Sequence, residues 1–247
     1  MNSPRFVLPV TFLLGASLAA CGGDDGGDGD GGNVDAPPAA TMLTVSGEAQ
    51  TVSGTSTEAL EGATIEAYRN GSSTPLGTAT SGADGTYAIT LTTDGTAIDG
   101  YLKGTSAGLI DNYLYPPRPL AADRDNATIL LISQSTLGLL GTLGGVTQDS
   151  AKGFVGVLVL DAAGNGVAGA TVTISPMGTA RILYARNSLP NQSATETDES
   201  GTVYIANTDV GTIMVDAQGG MGGGVDYYEH PVNARAGVIT TTAMEPK

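Results

Sequence analysis

From Thr41 onward, apolar and polar positions fall into short alternating stretches separated by glycine-centred turns. Thr64-Ile65-Glu66-Ala67 and Thr171-Val172-Thr173-Ile174 alternate with a period of two, so each lays one face on a core and turns the other to water. Phe154 to Leu160 is an almost unbroken apolar run and makes a strong strand. Asp84-Gly85, Ser200-Gly201 and Asp161 to Gly166 supply turn residues and glycines free to take positive φ. Together these predict half-buried antiparallel strands joined by tight turns. Between Ser133 and Gly153 the period changes: Leu137, Leu139, Leu140, Leu143 and Val146 recur at near-helical spacing, with Ser133 or Ser135 placed to cap the start. Gly138, Gly141, Gly144 and Gly145 each weaken a helix by roughly 1 kcal/mol relative to Ala, so a short helix is expected, its apolar face packed on strands.

The strand pattern occurs twice. Gly62-Ala63-Thr64-Ile65-Glu66-Ala67 returns as Gly169-Ala170-Thr171-Val172-Thr173-Ile174, 107 positions later. Asp84-Gly85-Thr86-Tyr87-Ala88-Ile89 returns around Ser200-Gly201-Thr202-Val203-Tyr204-Ile205 at an offset of 116, which puts an insertion between Met177 and Ser193. Two domains at 42–132 and 153–247, with a helical connector at 133–152 that brings them into contact, follow from this. Composition agrees: aromatics are 5%, Trp is absent, Gly numbers 37, and the core must be built from small and β-branched side chains, which suit strands.

"LDAAGNGVAGATVTI" at 160–174, followed by "TDESGTVYI" at 197–205, resembles the carboxypeptidase regulatory-like, or transthyretin-like, domain. That family runs from a strand through an Asp/Gly/Asn turn into a Gly-Ala strand, then through a Thr-Asp-x-x-Gly turn into an aromatic-bearing strand. The first copy resembles it through Leu60-Glu61-Gly62-Ala63, Gly82 to Tyr87 and "GYLKGTSAGLIDNYLYP" at 100–116. The resemblance implies an all-β chain of two tandem Greek-key sandwiches, each of about 80 to 100 residues, and it specifies a fold more than an activity.

Upstream of both copies, Arg5, the apolar run Phe6 to Leu14 and the small residues to Ala20 have the layout of a secretory signal peptide at 1–20, because the apolar run is too short for a membrane span. Leu18-Ala19-Ala20-Cys21 resembles the bacterial lipobox, which implies diacylglycerol and an N-acyl chain on Cys21, the only cysteine. Residues 22–32 are Gly and Asp alone and offer nothing to bury a thiol against. Segment 21–41 then reads as a solvated tether reaching on the order of 25 Å. Gly22, where an Asp would retain a lipoprotein at the inner membrane under the enteric rule, points to an outer-membrane lipoprotein, periplasmic or surface-exposed. The expected contact with membrane is through this anchor. A net charge of −15 leaves no basic stripe to neutralise phosphates and argues against nucleic acid.

Catalytic candidates are few. A Ser-His-Asp site would need the one histidine, His230, which sits in Tyr227-Tyr228-Glu229-His230-Pro231 with no nucleophile-elbow sequence. Metallocarboxypeptidases that carry the regulatory-like domain take their zinc ligands from another domain, and the iron of intradiol dioxygenases needs two His and two Tyr. No enzyme is expected. Asp161 with Asn165, and the turns at Asp84 and Asp198-Glu199, offer oxygens that calcium could use, although Asp in a β-turn ordinarily bonds its own backbone. Tyr113, Tyr115 and Arg118, leading into Pro116-Pro117-Arg118-Pro119, are the candidate ligand-binding residues for carbohydrate or peptide; the plainer reading is a stiff packed loop with Arg118 paired to a carboxylate. The expected function is a non-catalytic structural or interaction module of the envelope, with an envelope or extracellular protein or a glycan as partner. The alternatives are a carbohydrate- or peptide-binding lipoprotein acting through 113–119 and a calcium-dependent adhesion module.

Overall fold

The computed structural model describes residues 40–53, 56–220 and 223–247; the signal peptide, Cys21 and nearly all of the tether lie outside them. The first copy runs through β1 (Met42–Ser53), β2 (Ser56–Ala59), β3 (Thr64–Arg69), β4 (Gly77–Thr80), β5 (Thr86–Thr92), β6 (Gly100–Thr105), β7 (Asn112–Tyr115) and β8 (Ile129–Leu131). After α1 (Gln134–Leu143), the second copy runs through β9 (Gly153–Val159), β10 (Ala170–Ser175), β11 (Arg181–Arg186), β12 (Leu189–Pro190), β13 (Thr202–Thr208), β14 (Gly211–Gly219), β15 (His230–Ala234) and β16 (Ile239–Met244). The chain is therefore all-β apart from one helix, as the periodicity predicts. No helix among the described residues is long and apolar enough to cross a membrane.

The repeat extends from sequence into pairing. In the first copy β1 pairs antiparallel with β5 and parallel with β8, while β3, β6 and β7 follow one another antiparallel. In the second copy β9 pairs antiparallel with β13 and parallel with β16, while β10, β14 and β15 follow one another antiparallel. Each copy is thus a sandwich of two sheets. The expected insertion at 177–193 holds β11 and β12, a hairpin added at the edge beyond β13.

The two sandwiches are not simply tandem bodies touching through a helix. The last strand, β16, pairs in parallel with β9 of its own copy and also with β7 of the other copy. One sheet of nine strands results, in the order β12-β11-β13-β9-β16-β7-β6-β3-β4. The halves enter it with opposite faces. On β7, Leu114 packs into the first core with Ile65 and Leu102, whereas its neighbour Tyr115 packs into the second with Val155 and Val157. Successive side chains of a strand point to opposite faces, so β1, β5 and β8 cover one side of the shared sheet and β10, β14 and β15 cover the other.

β16 is Ile-Thr-Thr-Thr-Ala-Met, and its polar content is fully engaged. Thr240 donates to the Asn233 carbonyl at 3.2 Å, Thr241 to Asn112 Oδ1 at 2.9 Å and Thr242 to the Tyr115 carbonyl at 3.0 Å. A buried hydroxyl without a partner would cost about 1–3 kcal/mol, and here each ties the joint to one of its neighbours. The helix closes the remaining gap: Ser133 Oγ accepts the Thr136 N–H at its N-terminus, and Leu137 enters a third cluster with Ile110, Ile132, Phe154 and Ile239, which draws on both copies.

A joint of this kind makes the sandwiches unfold together. Met244, fully buried at the end of β16, is expected to cost about 2–5 kcal/mol on truncation to Ala. Hydrogen exchange of the slowest amides in β5 and in β14 should then accelerate by the same factor. Unchanged protection in β5 would mean that the sandwiches unfold independently.

Candidate functional site

Beyond β7 the chain leaves the sheet as Pro116-Pro117-Arg118-Pro119, stiff because three prolines fix φ, and folds back along the end of β16. Arg118 and Arg124 both reach Glu245, one residue past β16, at 3.0 Å each. Arg124 and Glu245 are largely covered, with side-chain exposures of 20% and 18%, while Arg118 is 55% exposed. Arg118 also lies over the Tyr228 ring, 5.0 Å from its centroid, and Tyr228 N–H donates to the Glu245 carbonyl at 3.0 Å. A shared half-buried carboxylate of this kind is stronger than an exposed surface pair because water screens it less.

On the opposite face of the shared sheet stands a row of tyrosines. Tyr68 and Tyr101 stack with centroids 5.3 Å apart, and Tyr101 lies 5.6 Å from Tyr113. Arg235, which follows β15, places its guanidinium 4.0 Å from the Tyr113 centroid and 4.9 Å from that of Tyr101. It donates to Tyr115 Oη at 3.0 Å and to the Asn233 carbonyl at 2.8 Å. Desolvation raises the Tyr115 hydroxyl pKa, with the Arg235 hydrogen bond acting the other way.

Of the three residues expected to form a ligand surface, Tyr113 and Tyr115 gather around Tyr101 and Arg235, and Arg118 is not with them. Tyr115 is buried and its hydroxyl is taken by Arg235, so its ring has no face for a sugar. Tyr113 is half-buried beneath the same guanidinium, and Arg118 points away to Glu245 and Tyr228. The stiff packed loop with a paired Arg118 is what forms. Arg124, Arg235 and Glu245 carry this junction and no local motif marks them, because each acts on a residue more than a hundred positions away.

Asp161 and Asn165 make an Asx turn. Asp161 Oδ1 accepts the N–H groups of Ala163 at 2.9 Å and Asn165 at 2.8 Å, and the Asn165 amide donates to Oδ2 at 3.1 Å. Desolvation raises the Asp161 pKa, but these donors outweigh it and hold the carboxyl below its usual value. Among the described residues no three His, Cys, Asp or Glu side chains are grouped to hold a metal. His230 is 7% exposed, with Nδ1 3.2 Å from the Tyr228 carbonyl and Nε2 2.6 Å from Thr242 Oγ1. Both ring nitrogens thus serve the joint.

No protein-family model and no curated protein sequence matches the chain. Among solved structures, the minor pilin GBS52 of Streptococcus agalactiae aligns over 84% of this chain and 96% of its own at 13% identity, with a TM-score of 0.27. The shaft pilin SpaA of Lactobacillus rhamnosus GG aligns over 84% and 98% at 13% identity, with a TM-score of 0.26. At such scores the likenesses carry no argument, and no residue role is transferred from them.

Two measurements bear on these sites. Desolvation lowers the His230 pKa below 6.5, against weaker opposing pulls from the Tyr228 carbonyl and Glu245. The unfolded chain then binds the proton more readily, so stability is complete above about pH 6.5 and falls as pH drops below it. His230 is the only histidine: its ring Hε1 resonance in untagged protein should titrate below 6.5, and His230→Gln should flatten the fall in Tm between about pH 7 and 5.5. For the turn, Asp161→Ala should cost on the order of 1 kcal/mol through lost N–H partners, equally with calcium or with chelator in a thermal melt. A larger loss in the presence of calcium would restore the calcium reading.

Proposed function

We propose that this chain is a lipid-anchored, non-catalytic structural or interaction module of a bacterial cell envelope. It would be held at the outer membrane by acyl chains on Cys21 and would carry two carboxypeptidase regulatory-like sandwiches clear of the lipid. The observation that supports the reading best is the shared sheet. Strand β16 joins both sandwiches through one continuous sheet, as suits a part whose task is to hold a surface at a set distance and orientation. The side chains of richest chemistry support it too, since His230, Arg124, Arg235 and Glu245 are each engaged in binding one part of the body to another. A Cys21 carrying more than one acyl chain gains about 0.8 kcal/mol per buried methylene, so anchoring would be stable.

The test is fractionation and protease accessibility. The Cys21→Ala chain should leave the membrane fraction for the soluble one while keeping its Tm. A Cys21→Ala chain that stays with membranes as before would end the anchor reading. Digestion of tagged wild-type protein in intact cells would place the body outside, and protection until the outer membrane is opened would place it in the periplasm.

A further inference from the structure

Among the described residues, five dipeptides place an Asn or Asp side chain directly before a glycine: Asn70-Gly71, Asp84-Gly85, Asp94-Gly95, Asp99-Gly100 and Asn165-Gly166. Such a pair can react with itself. The glycine nitrogen attacks the side-chain carbonyl carbon and closes a five-membered imide, and glycine suits the step because no Cβ crowds the approach. The nitrogen must be free to swing towards the side chain, and its peptide needs room to turn.

Four of the five are held. Gly85 N–H donates to the Gly82 carbonyl at 2.9 Å, and Gly95 N–H to Thr93 Oγ1 at 3.1 Å. A Cβ on Gly100 would stand 1.9 Å from the Tyr68 carbonyl oxygen, and one on Gly166 would stand 2.4 Å from the Ser200 carbonyl carbon, so both peptides are clamped against backbone. Asn165 is fixed as well, its N–H and its side-chain amide both donating to the Asp161 carboxylate, at 2.8 and 3.1 Å. Gly71 differs in each respect. Its N–H has no partner among the described residues, no atom lies within 4 Å of the Cβ it lacks, and Asn70, Gly71 and Ser72 are all exposed.

The setting of this turn gives the reaction a consequence. Asn70 N–H donates to the Asp99 carbonyl at 2.9 Å, and the Asn70 amide donates to Asp99 Oδ1 at 2.8 Å. The amide bond is exposed, so water replaces it at little net cost when the side chain turns towards Gly71. Loss of the amide leaves a carboxylate where the donor stood, and two carboxylates at that spacing repel.

We propose that Asn70 is a site of spontaneous deamidation, and that the change turns an attractive contact between the β3–β4 turn and Asp99 into a repulsive one. The Gly71 nitrogen bonds to Asn70 Cγ, and the Cγ–Nδ2 bond breaks. The proton from the Gly71 N–H passes through water to the departing nitrogen, which leaves as ammonia. Water then opens the imide at one carbonyl to give aspartate or at the other to give isoaspartate. One water enters and one ammonia leaves, with no oxidation and no enzyme. The isoaspartate product carries an extra backbone methylene, which moves the residue 70 N–H out of line with the Asp99 carbonyl.

The experiment incubates the full-length chain in mildly alkaline buffer, folded and in urea, and maps its peptides by mass spectrometry with isoaspartyl methyltransferase labelling. In the folded chain Asn70 should exchange its amide for a carboxyl at least about tenfold faster than Asn165, and in urea the two should convert at similar rates. An Asn70 that stays intact in the folded chain while converting in urea would overturn the proposal, as would equal rates at Asn70 and Asn165 in the folded chain. Asn70→Asp should lower the Tm, and adding Asp99→Asn should restore it by supplying an amide donor from the other side. A Tm unchanged by Asn70→Asp, or not restored by the second substitution, would overturn the assigned consequence at Asp99.

Discussion

The union of the two sandwiches depends on β16 being hydrogen-bonded along both edges. Six residues, Ile239 to Met244, sit between β9 and β7 and supply parallel pairing to each. Without them the second sheet of the first sandwich would end at β7, and β9 would keep only β13 as a partner. Edge strands with free N–H and C=O groups invite unwanted pairing, and this strand removes two such edges at once. The strand before it, the loop after β7 and the residue that follows Met244 all bind to the same place, through His230, Arg124 and Glu245. The joint is therefore a node of sheet, hydrogen bonds and charge rather than a hinge.

The sequence made each sandwich legible and left their union hidden. Alternation at Thr64 to Ala67 and Thr171 to Ile174, the Asp-Gly turns and the offset between copies mark local events, and local events are what periodicity reports. The helix was visible through Ser133 and the leucines that follow. The extra hairpin β11-β12 was legible as nine surplus residues. The joint was not, because Thr240-Thr241-Thr242 carries no apolar alternation; the Thr242 hydroxyl finds its acceptor only on β7, 127 residues away. Motif logic also singled out Tyr115 for its chemical type, yet whether a tyrosine offers its ring to a ligand or to a core depends on what lies over it. Here that is Arg235, which no spacing rule connects to Tyr115.

The same dependence gives the site its character. Charged and aromatic residues gather at the junction because two sandwiches meeting on opposite faces of one sheet leave each half-covered, and something must shield the strands that neither covers fully. Arg235 does so on one face by lying on the tyrosine row. On the other face the helix does so through Leu137, and the segment 116–128 through Arg118 and Arg124 at Glu245.

Placing the keystone strand after both of the strands it joins sets an order of events during synthesis. The Tyr115 carbonyl that accepts from Thr242 is made 127 residues before its donor. At about 5–20 residues per second, the first sandwich waits roughly 6 to 25 s for its last neighbour. During that interval β7 is an open edge and the two sandwiches are not yet locked together. The two sandwiches thus become one sheet only when Ile239 to Met244 arrive, long after β7 has been made.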